Sequence, residues 1–182
     1  MPSWSRIATR ARVPLGFAFA AAYLWFAHPA WAWIAAGGVL VMIGLVIRAA
    51  ASGHIKKNRE LTTAGPYAYS RNPLYLGSIL IALGFVVAAR NAWIAAGAAL
   101  MFIIIYVPVV MAEEKYLRSI FADYDQYAAH VPRFFPRLTA YKSGEAGGYS
   151  RELYMKHREY QAALGSGLMM AALIAKLLLI GH

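Results

Sequence analysis

From Val13 to Ile47 the chain runs 35 residues without Asp, Glu, Lys or Arg. As a single helix that run would be roughly 50 Å long, against a hydrocarbon core of about 30 Å. It must break, and His28-Pro29 is the place, because proline disfavours helix in the residue before it. The pattern predicts two crossings there, over 10–27 and 31–50. Further apolar runs predict crossings over 73–89, 92–112 and 161–180, with Arg90-Asn91 as the turn between the third and fourth. Pro108 is expected to kink the fourth. The fold class is therefore all-α, a polytopic membrane helix bundle with about five transmembrane helices. One domain, 1–182, accounts for the chain.

Between the fourth and fifth runs the pattern turns amphipathic. A helix over 113–130 places Leu117, Ile120, Phe121 and Tyr124 on one stripe, which reads as a packing face. Lys142 to Tyr149 (KSGEAGGY) is glycine-rich and reads as a flexible joint. Residues 149–160 read as an interfacial helix leading into the last span.

Charge orients this pattern. With the N-terminus inside, the inner segments hold 16 of the 18 basic residues, Arg90 lies outside, and Lys176 sits near the outer end of the last helix, in reach of the interface. That asymmetry predicts a cytoplasmic N-terminus and puts polar segments 51–72 and 113–160 on the cytoplasmic face. The net charge of +10 is thus sorted by membrane side, which argues against a nucleic-acid partner. Arg6, Arg10 and Arg12 ahead of an apolar stretch ending in Ala30-Trp31-Ala32 resemble a signal peptide, but the adjoining second run favours a retained helical hairpin. With no cysteine, disulfides, thiolate metal sites and cysteine nucleophiles are excluded. The five histidines show no i,i+4 ligand pair, and Gly-x-Ser-x-Gly is missing, so neither a metal site nor a serine hydrolase is expected.

The densest polar cluster is GPYAYSRNPLYLG, Gly65 to Gly77. Gly65-Pro66 is a turn. Asn72-Pro73 is a helix start, with asparagine a preferred N-cap and proline suited to the first helical position. A helix N-terminus with Arg71 beside it attracts a carboxylate or phosphate. Glu113-Glu114 closes the fourth apolar run on the same side and attracts a cation. A ligand bearing carboxylate, ammonium and sulfonium satisfies both ends, and S-adenosylmethionine carries all three. Tyr67, Tyr69 and Tyr75 suit an adenine ring or a sulfonium. Taken singly, these features are equally a cap, a solvated helix end and an interfacial tyrosine belt.

Taken in order, the pieces Gly53-His54, Glu60-Leu61, Gly65-Pro66-Tyr67, Arg71-Asn72-Pro73, Tyr75, Gly77, Glu113-Glu114 and FADYDQYAAHVPRFFP (Phe121 to Pro136) form a pattern. It resembles the isoprenylcysteine carboxyl methyltransferase family and its phospholipid-methyltransferase-like relatives, over about residues 40–138. The resemblance implies an integral membrane enzyme with an S-adenosylmethionine pocket facing the cytosol and a lipid tunnel from the bilayer. It implies cofactor contacts at Lys57, Leu61, Thr62, Tyr67, Asn72, Pro73, Leu74 and Tyr75, closed by Glu113 and Glu114 and covered by Val131 to Phe135. His54, at the inner end of the second helix, reads as a pocket wall or an interfacial residue.

Two departures bear on the acceptor. Asn72 stands where eukaryotic members carry histidine, and His130 stands where they carry an arginine associated with the substrate carboxylate. Either His130 itself or Arg133, three residues on, takes that arginine's place. For a carboxylate acceptor Arg71 or Arg133 is the holding residue; for an amine, Glu113, Glu114 or His130 takes the proton. The acceptor is thus lipophilic, an isoprenylcysteine-like carboxylate or an amine or lipid headgroup. The alternatives are an NADPH-dependent reductase of the sterol-reductase type, or a non-enzymatic lipid-binding membrane protein.

Overall fold

A computed structural model describes residues 19–56, 60–141 and 148–180. The regular elements among the described residues are all helical, with no strand: α1 (residues 19–26), α2 (Trp31–His54), a 3-10 turn (Gly65–Ala68), α3 (Pro73–Ala89), α4 (Ala92–Met101), a π turn (Phe102–Tyr106), α5 (Val107–Ile120), α6 (Tyr124–His130), α7 (Arg151–Lys156) and α8 (Tyr160–Ile180). Residues 10–18 of the predicted first crossing, Lys57 and most of the glycine-rich joint lie outside the described residues.

Among the described residues three helices are long and apolar enough to cross a bilayer: Trp31–His54, Ala92–Ile120 and Tyr160–Ile180. The shorter apolar helix α3 has 17 residues, the lower end of the range of about 17–25 needed to span. The chain is a helical membrane protein. The predicted break at His28-Pro29 stands: residues 27–30 leave the helix, and the His28 N–H donates to the Ala89 carbonyl at 2.7 Å.

The fourth apolar run departs from expectation at its end. The helix does not stop at 112 but continues as α5 to Ile120, where Phe121 turns extended (φ −120°, ψ 114°). The charged stretch after 112 contains good helix formers, so the backbone has no reason to stop where the hydrophobicity does. The 113–130 helix is likewise two pieces, α5 and α6, split at 121–123. Pro108, at the start of α5, follows directly on the π turn. Proline lacks the N–H that an α-register would use and crowds the carbonyl four residues back, and the wider turn absorbs that misfit.

Antiparallel α2 and α3 form the seam of the fold. Buried positions on α2 (Ile34, Gly37, Val41, Gly44, Ala51) face buried positions on α3 (Pro73, Gly77, Gly84, Ala88), a small-residue stripe of the kind that lets membrane helices approach closely. A Cβ on Gly44 would lie 2.5 Å from the Gly77 carbonyl oxygen, and one on Gly84 would lie 2.5 Å from that of Gly37. Backbone therefore touches backbone at two levels. Above them Tyr23, Ala27, Ala88, Ala89 and Leu173 form an apolar cluster, with the Tyr23 hydroxyl donating to the Phe85 carbonyl at 2.7 Å.

Two charged side chains tie α8 and the residue before it to the rest of the bundle. Arg48 of α2 donates from Nε and Nη2 to Glu159 (3.0 and 2.8 Å) and from Nη1 to the Ser78 hydroxyl. Lys176 does not reach outward to the interface. Its Nζ donates to the carbonyls of Leu24, Trp25 and Ala27 (2.6, 3.0 and 2.7 Å), collecting acceptors left open at the end of α1. Lys176→Met, which keeps the stem and removes the donors, is expected to lower stability by about 1–3 kcal/mol, the range for stranding buried acceptors. Thermal unfolding in detergent, followed by tryptophan emission, checks this.

Candidate functional site

The 3-10 turn at Gly65–Ala68 starts on Gly65 in the left-handed region (φ 58°), against the His54 ring. From it the chain runs through Tyr69–Asn72 into α3. A strap, residues 131–141, lies across this run and is pinned by backbone: Arg71 N–H to Pro132 O at 2.9 Å, Arg137 N–H to Tyr69 O at 3.0 Å, and Tyr141 N–H to Ala68 O at 2.9 Å. The Ser70 hydroxyl adds a bond to the Arg133 carbonyl at 3.1 Å, and the Tyr127 hydroxyl of α6 reaches the Tyr67 carbonyl at 2.7 Å. These bonds place the strap over the start of α3, although none of its residues lines the neighbouring cavity.

Asn72 occupies the N-cap position of α3, but its side chain makes no capping bond. Its Nδ2 donates to Glu114 Oε1 at 2.9 Å and to the Arg133 carbonyl at 3.3 Å. The charge-assisted bond from Nδ2 to the buried carboxylate fixes the amide's orientation, and its Oδ1 makes no bond to the helix N–H groups. Glu114 is 4% exposed. It also takes Arg133 Nε (3.0 Å) and Nη2 (2.9 Å), with Arg71 Nη1 at 3.8 Å. The hydrogen bond to Glu114 holds the Arg133 guanidinium above its ordinary pKa. Glu114 is thus saturated by the protein. Glu113, its neighbour, accepts the Tyr75 hydroxyl at 2.7 Å. Both acids sit within α5 rather than at a helix end, so the dipole argument for a cation-attracting terminus does not apply to them. The charge argument does, and it rests on Glu113.

Between the start of α3 and the far part of α5 lies a cavity of about 190 Å³. Among the sequence-predicted residues, Leu61, Thr62, Tyr67, Arg71, Asn72, Pro73, Leu74, Tyr75 and Glu113 line it. Glu114 and Arg133 stand behind this wall as its brace. His54 does not line it; its Nδ1 bonds to the Ala50 carbonyl at 2.7 Å and its ring supports the turn. His130 is exposed, its Nδ1 on the Gln126 carbonyl at 2.8 Å. Lys57 lies outside the described residues.

Sequence reasoning missed the opposite wall. Leu117, Phe121 and Tyr124, expected only to pack, line the cavity together with Tyr116 and Tyr127, and so do Lys56 and Glu60. The break at 121–123 turns α6 back over the site; a straight helix would have carried Tyr124 past it. No signal beyond the Phe-Ala-Asp-Tyr turn marks this.

Among the described residues, three buried side-chain polar atoms have no hydrogen-bond partner: the hydroxyls of Tyr67 and Tyr124 and Nε of Arg71. All three residues line this one cavity. Buried polar groups are paired in the great majority of cases, so three unpartnered atoms on residues of one cavity set this wall apart from the rest of the described fold. Burial raises the pKa of Tyr67, Tyr124 and Tyr127, so their hydroxyls stay neutral and protonated. Arg71 opposes the rise at Tyr124, through its charge and through the close approach of its guanidinium to the hydroxyl.

A second, larger space of about 480 Å³ opens among α1, α3, α4, the π turn and α8. Its walls are mostly apolar, including Phe19, Ile81, Phe85, Met101, Phe102 and Tyr106, with Arg48, Ser78 and Gln161 at one end.

A model of the phospholipid methyltransferase family matches residues 32–124. The chain belongs to the phospholipid methyltransferase family. The matched stretch runs from α2 to Tyr124 and contains every cavity wall except Tyr127. Among curated relatives, this methyltransferase-family chain is similar to a cobalt-zinc-cadmium resistance protein from Cupriavidus metallidurans, 32% identical over 133 residues, which are 68% of this chain and 62% of that protein. It is also similar to a nickel-cobalt-cadmium resistance protein from Alcaligenes xylosoxydans xylosoxydans, 36% identical over 88 residues, 48% of this chain and 41% of that one. The chain thus spans less than two thirds of either relative. No solved structure matches it.

Proposed function

We propose that this chain transfers a methyl group from S-adenosylmethionine to a lipophilic acceptor at the cytoplasmic face of the membrane. The observation that carries this reading is one cavity lined by Tyr67, Tyr124 and Arg71, each with an unpartnered buried polar atom in its side chain, and by Glu113. Those donors suit the cofactor's carboxylate, ribose oxygens and ring nitrogens. Glu113 suits its ammonium or sulfonium. At about 190 Å³ the cavity is smaller than the roughly 300–1,000 Å³ usual for such ligands. The fit therefore rests on the donor set, and it is good.

When bound, the cofactor supplies a methyl group already activated by a positively charged sulfur. The protein's part is alignment and exclusion of water. Tyr67, Tyr124 and Arg71 bind, Leu61, Pro73 and Leu74 wall the site, and the strap covers it. For an amine acceptor the Glu113 carboxylate takes the proton; for a carboxylate acceptor no base is needed and Arg71 holds it. Glu114 is not free for either role. The end nearest Glu113 also disfavours a pyrophosphate, which counts against the reductase alternative. By similarity to the two relatives, we place the activity in the setting of metal resistance, with a membrane component as acceptor.

Calorimetric titration of the purified protein with S-adenosylhomocysteine and, separately, NADPH tests the reading. Binding of the first and not the second is expected; binding of neither leaves the lipid-binding alternative, and binding of NADPH the reductase. Tyr67→Phe sharpens the test. Removing a hydroxyl with no partner leaves the unliganded protein as stable as before or more so. It weakens S-adenosylhomocysteine by about tenfold, the worth of one hydrogen bond at about 1–1.5 kcal/mol. A purely structural tyrosine would instead lose stability and leave affinity alone.

A further inference from the structure

The small polar cavity and the large apolar one share no lining residue, yet Tyr75 of the first meets Tyr106 of the second edge-on, ring centroids 6.1 Å apart at 86°. The two sides of this contact are held differently. Tyr75 is tethered through its hydroxyl to Glu113. Tyr106 makes no hydrogen bond from its side chain among the described residues; it is held only by rings, stacked on Phe102 at 5.8 Å, which in turn meets Phe134 of the strap at 6.3 Å. Phe102 and Tyr106 bound the π turn, whose wider winding departs from the α register and which precedes Pro108. Such turns recur where a helix has a job besides spanning.

We infer that the Tyr75–Tyr106 ring pair is the partition between the two compartments and that Tyr106 decides how thick an apolar acceptor can be where it enters the polar cavity. The inference rests on the reading of the small cavity as the cofactor site. Rotation of Tyr106 away from Tyr75 breaks no hydrogen bond, whereas movement of Tyr75 breaks one to a carboxylate. The mobile side of the partition therefore faces the apolar space. A ligand with a slim nucleophile-bearing end on an apolar body passes; a body broad up to its reactive end does not. Contact through Phe102 to Phe134 links the partition to the strap, so a covered site and a closed partition go together.

The chain has no native cysteine, so Leu74→Cys places a single thiol in the wall of the small cavity. In proteoliposomes this thiol is challenged with a long-chain alkyl maleimide dissolved in the bilayer and, separately, with a charged water-soluble maleimide. Adding Tyr106→Ala is expected to raise the rate with the bilayer reagent several-fold and leave the rate with the charged reagent unchanged. Tyr106→Phe keeps the ring and matches the parent; Tyr106→Trp lowers the bilayer rate several-fold. An unchanged bilayer rate in both Tyr106→Ala and Tyr106→Trp overturns the inference. So does an equal rise with both reagents in Tyr106→Ala, which marks general loosening. Size-exclusion profiles identify a variant that fails to fold, and the Trp variant then decides alone. Titration of the unmodified chain with S-adenosylhomocysteine is scored separately: its failure removes the cofactor reading, while the labelling contrast, which involves no cofactor, still decides the partition.

Discussion

Glu114→Ala is expected to lose about 3 kcal/mol of stability, the low end of the range for breaking a buried ion pair from one side. Three groups lose their partner at once. Asn72, buried, keeps only the Arg133 carbonyl for its side-chain amide; Arg71, 13% exposed, loses its ion pair with Glu114; Arg133 is 45% exposed and can turn to water. That last escape is why the low end applies. For a chain of this size the loss corresponds to a fall in melting temperature of roughly 6–12 °C. Glu114→Gln keeps the hydrogen-bonding shape without the charge and falls less. Glu113→Gln is the control, since Tyr75 still has an oxygen to donate to. If Glu114 were instead a cofactor contact, Glu114→Ala would leave the unliganded melting temperature unmoved and lower only S-adenosylhomocysteine affinity.

The second large effect belongs to the α2–α3 seam. Gly44→Ala puts a methyl 2.5 Å from the Gly77 carbonyl oxygen, a fixed backbone atom that cannot rotate away. The helices must part, and overpacking of this kind costs about 1–3 kcal/mol. Gly44→Leu is expected to abolish recovery of monodisperse protein. Gly38, on the same helix, supplies the control: a Cβ there meets nothing within 4 Å. Gly38→Ala is expected to be neutral or to stabilise by about 0.5–1 kcal/mol, because glycine in a helix interior is itself unfavourable. Equal losses for Gly38→Ala and Gly44→Ala in detergent melting curves would show that helix propensity, not close approach, governs the seam.

What the sequence disclosed, and what it withheld, follows from how local each signal is. The bounds of α3 were readable because Asn72-Pro73 and Arg90-Asn91 act on their own backbone: proline starts the helix, and Arg90 in the left-handed region ends it. The break at His28-Pro29 is local in the same way. The end of α5 was misplaced because a change from apolar to charged side chains marks the edge of the bilayer, not the edge of a helix. Half of the site was legible from the Gly65 to Gly77 cluster, whose residues are consecutive along one turn and one helix start. The other half, Leu117, Phe121, Tyr124 and Tyr127, depends on a bend after Ile120 that no proline or glycine announces. The state of Glu114 was illegible for a different reason. Two adjacent acids look alike in sequence, and only the arrival of Arg133 from the strap and Asn72 from α3 separates a saturated carboxylate from one still facing the cavity.

The glycine seam has a mechanical consequence. With backbone against backbone, α2 and α3 make one stiff plate, and the α3 end of that plate carries Asn72, Pro73 and Tyr75. By contrast α4 buries none of its residues and α8 only Ser166 and Leu173. With α8 anchored near both ends by Glu159 and Lys176, lateral pressure from the surrounding lipid falls first on α4, a flank of the apolar space. Bilayer thickness and fluidity act on the acceptor's route, while the floor on which the cofactor would rest stays level.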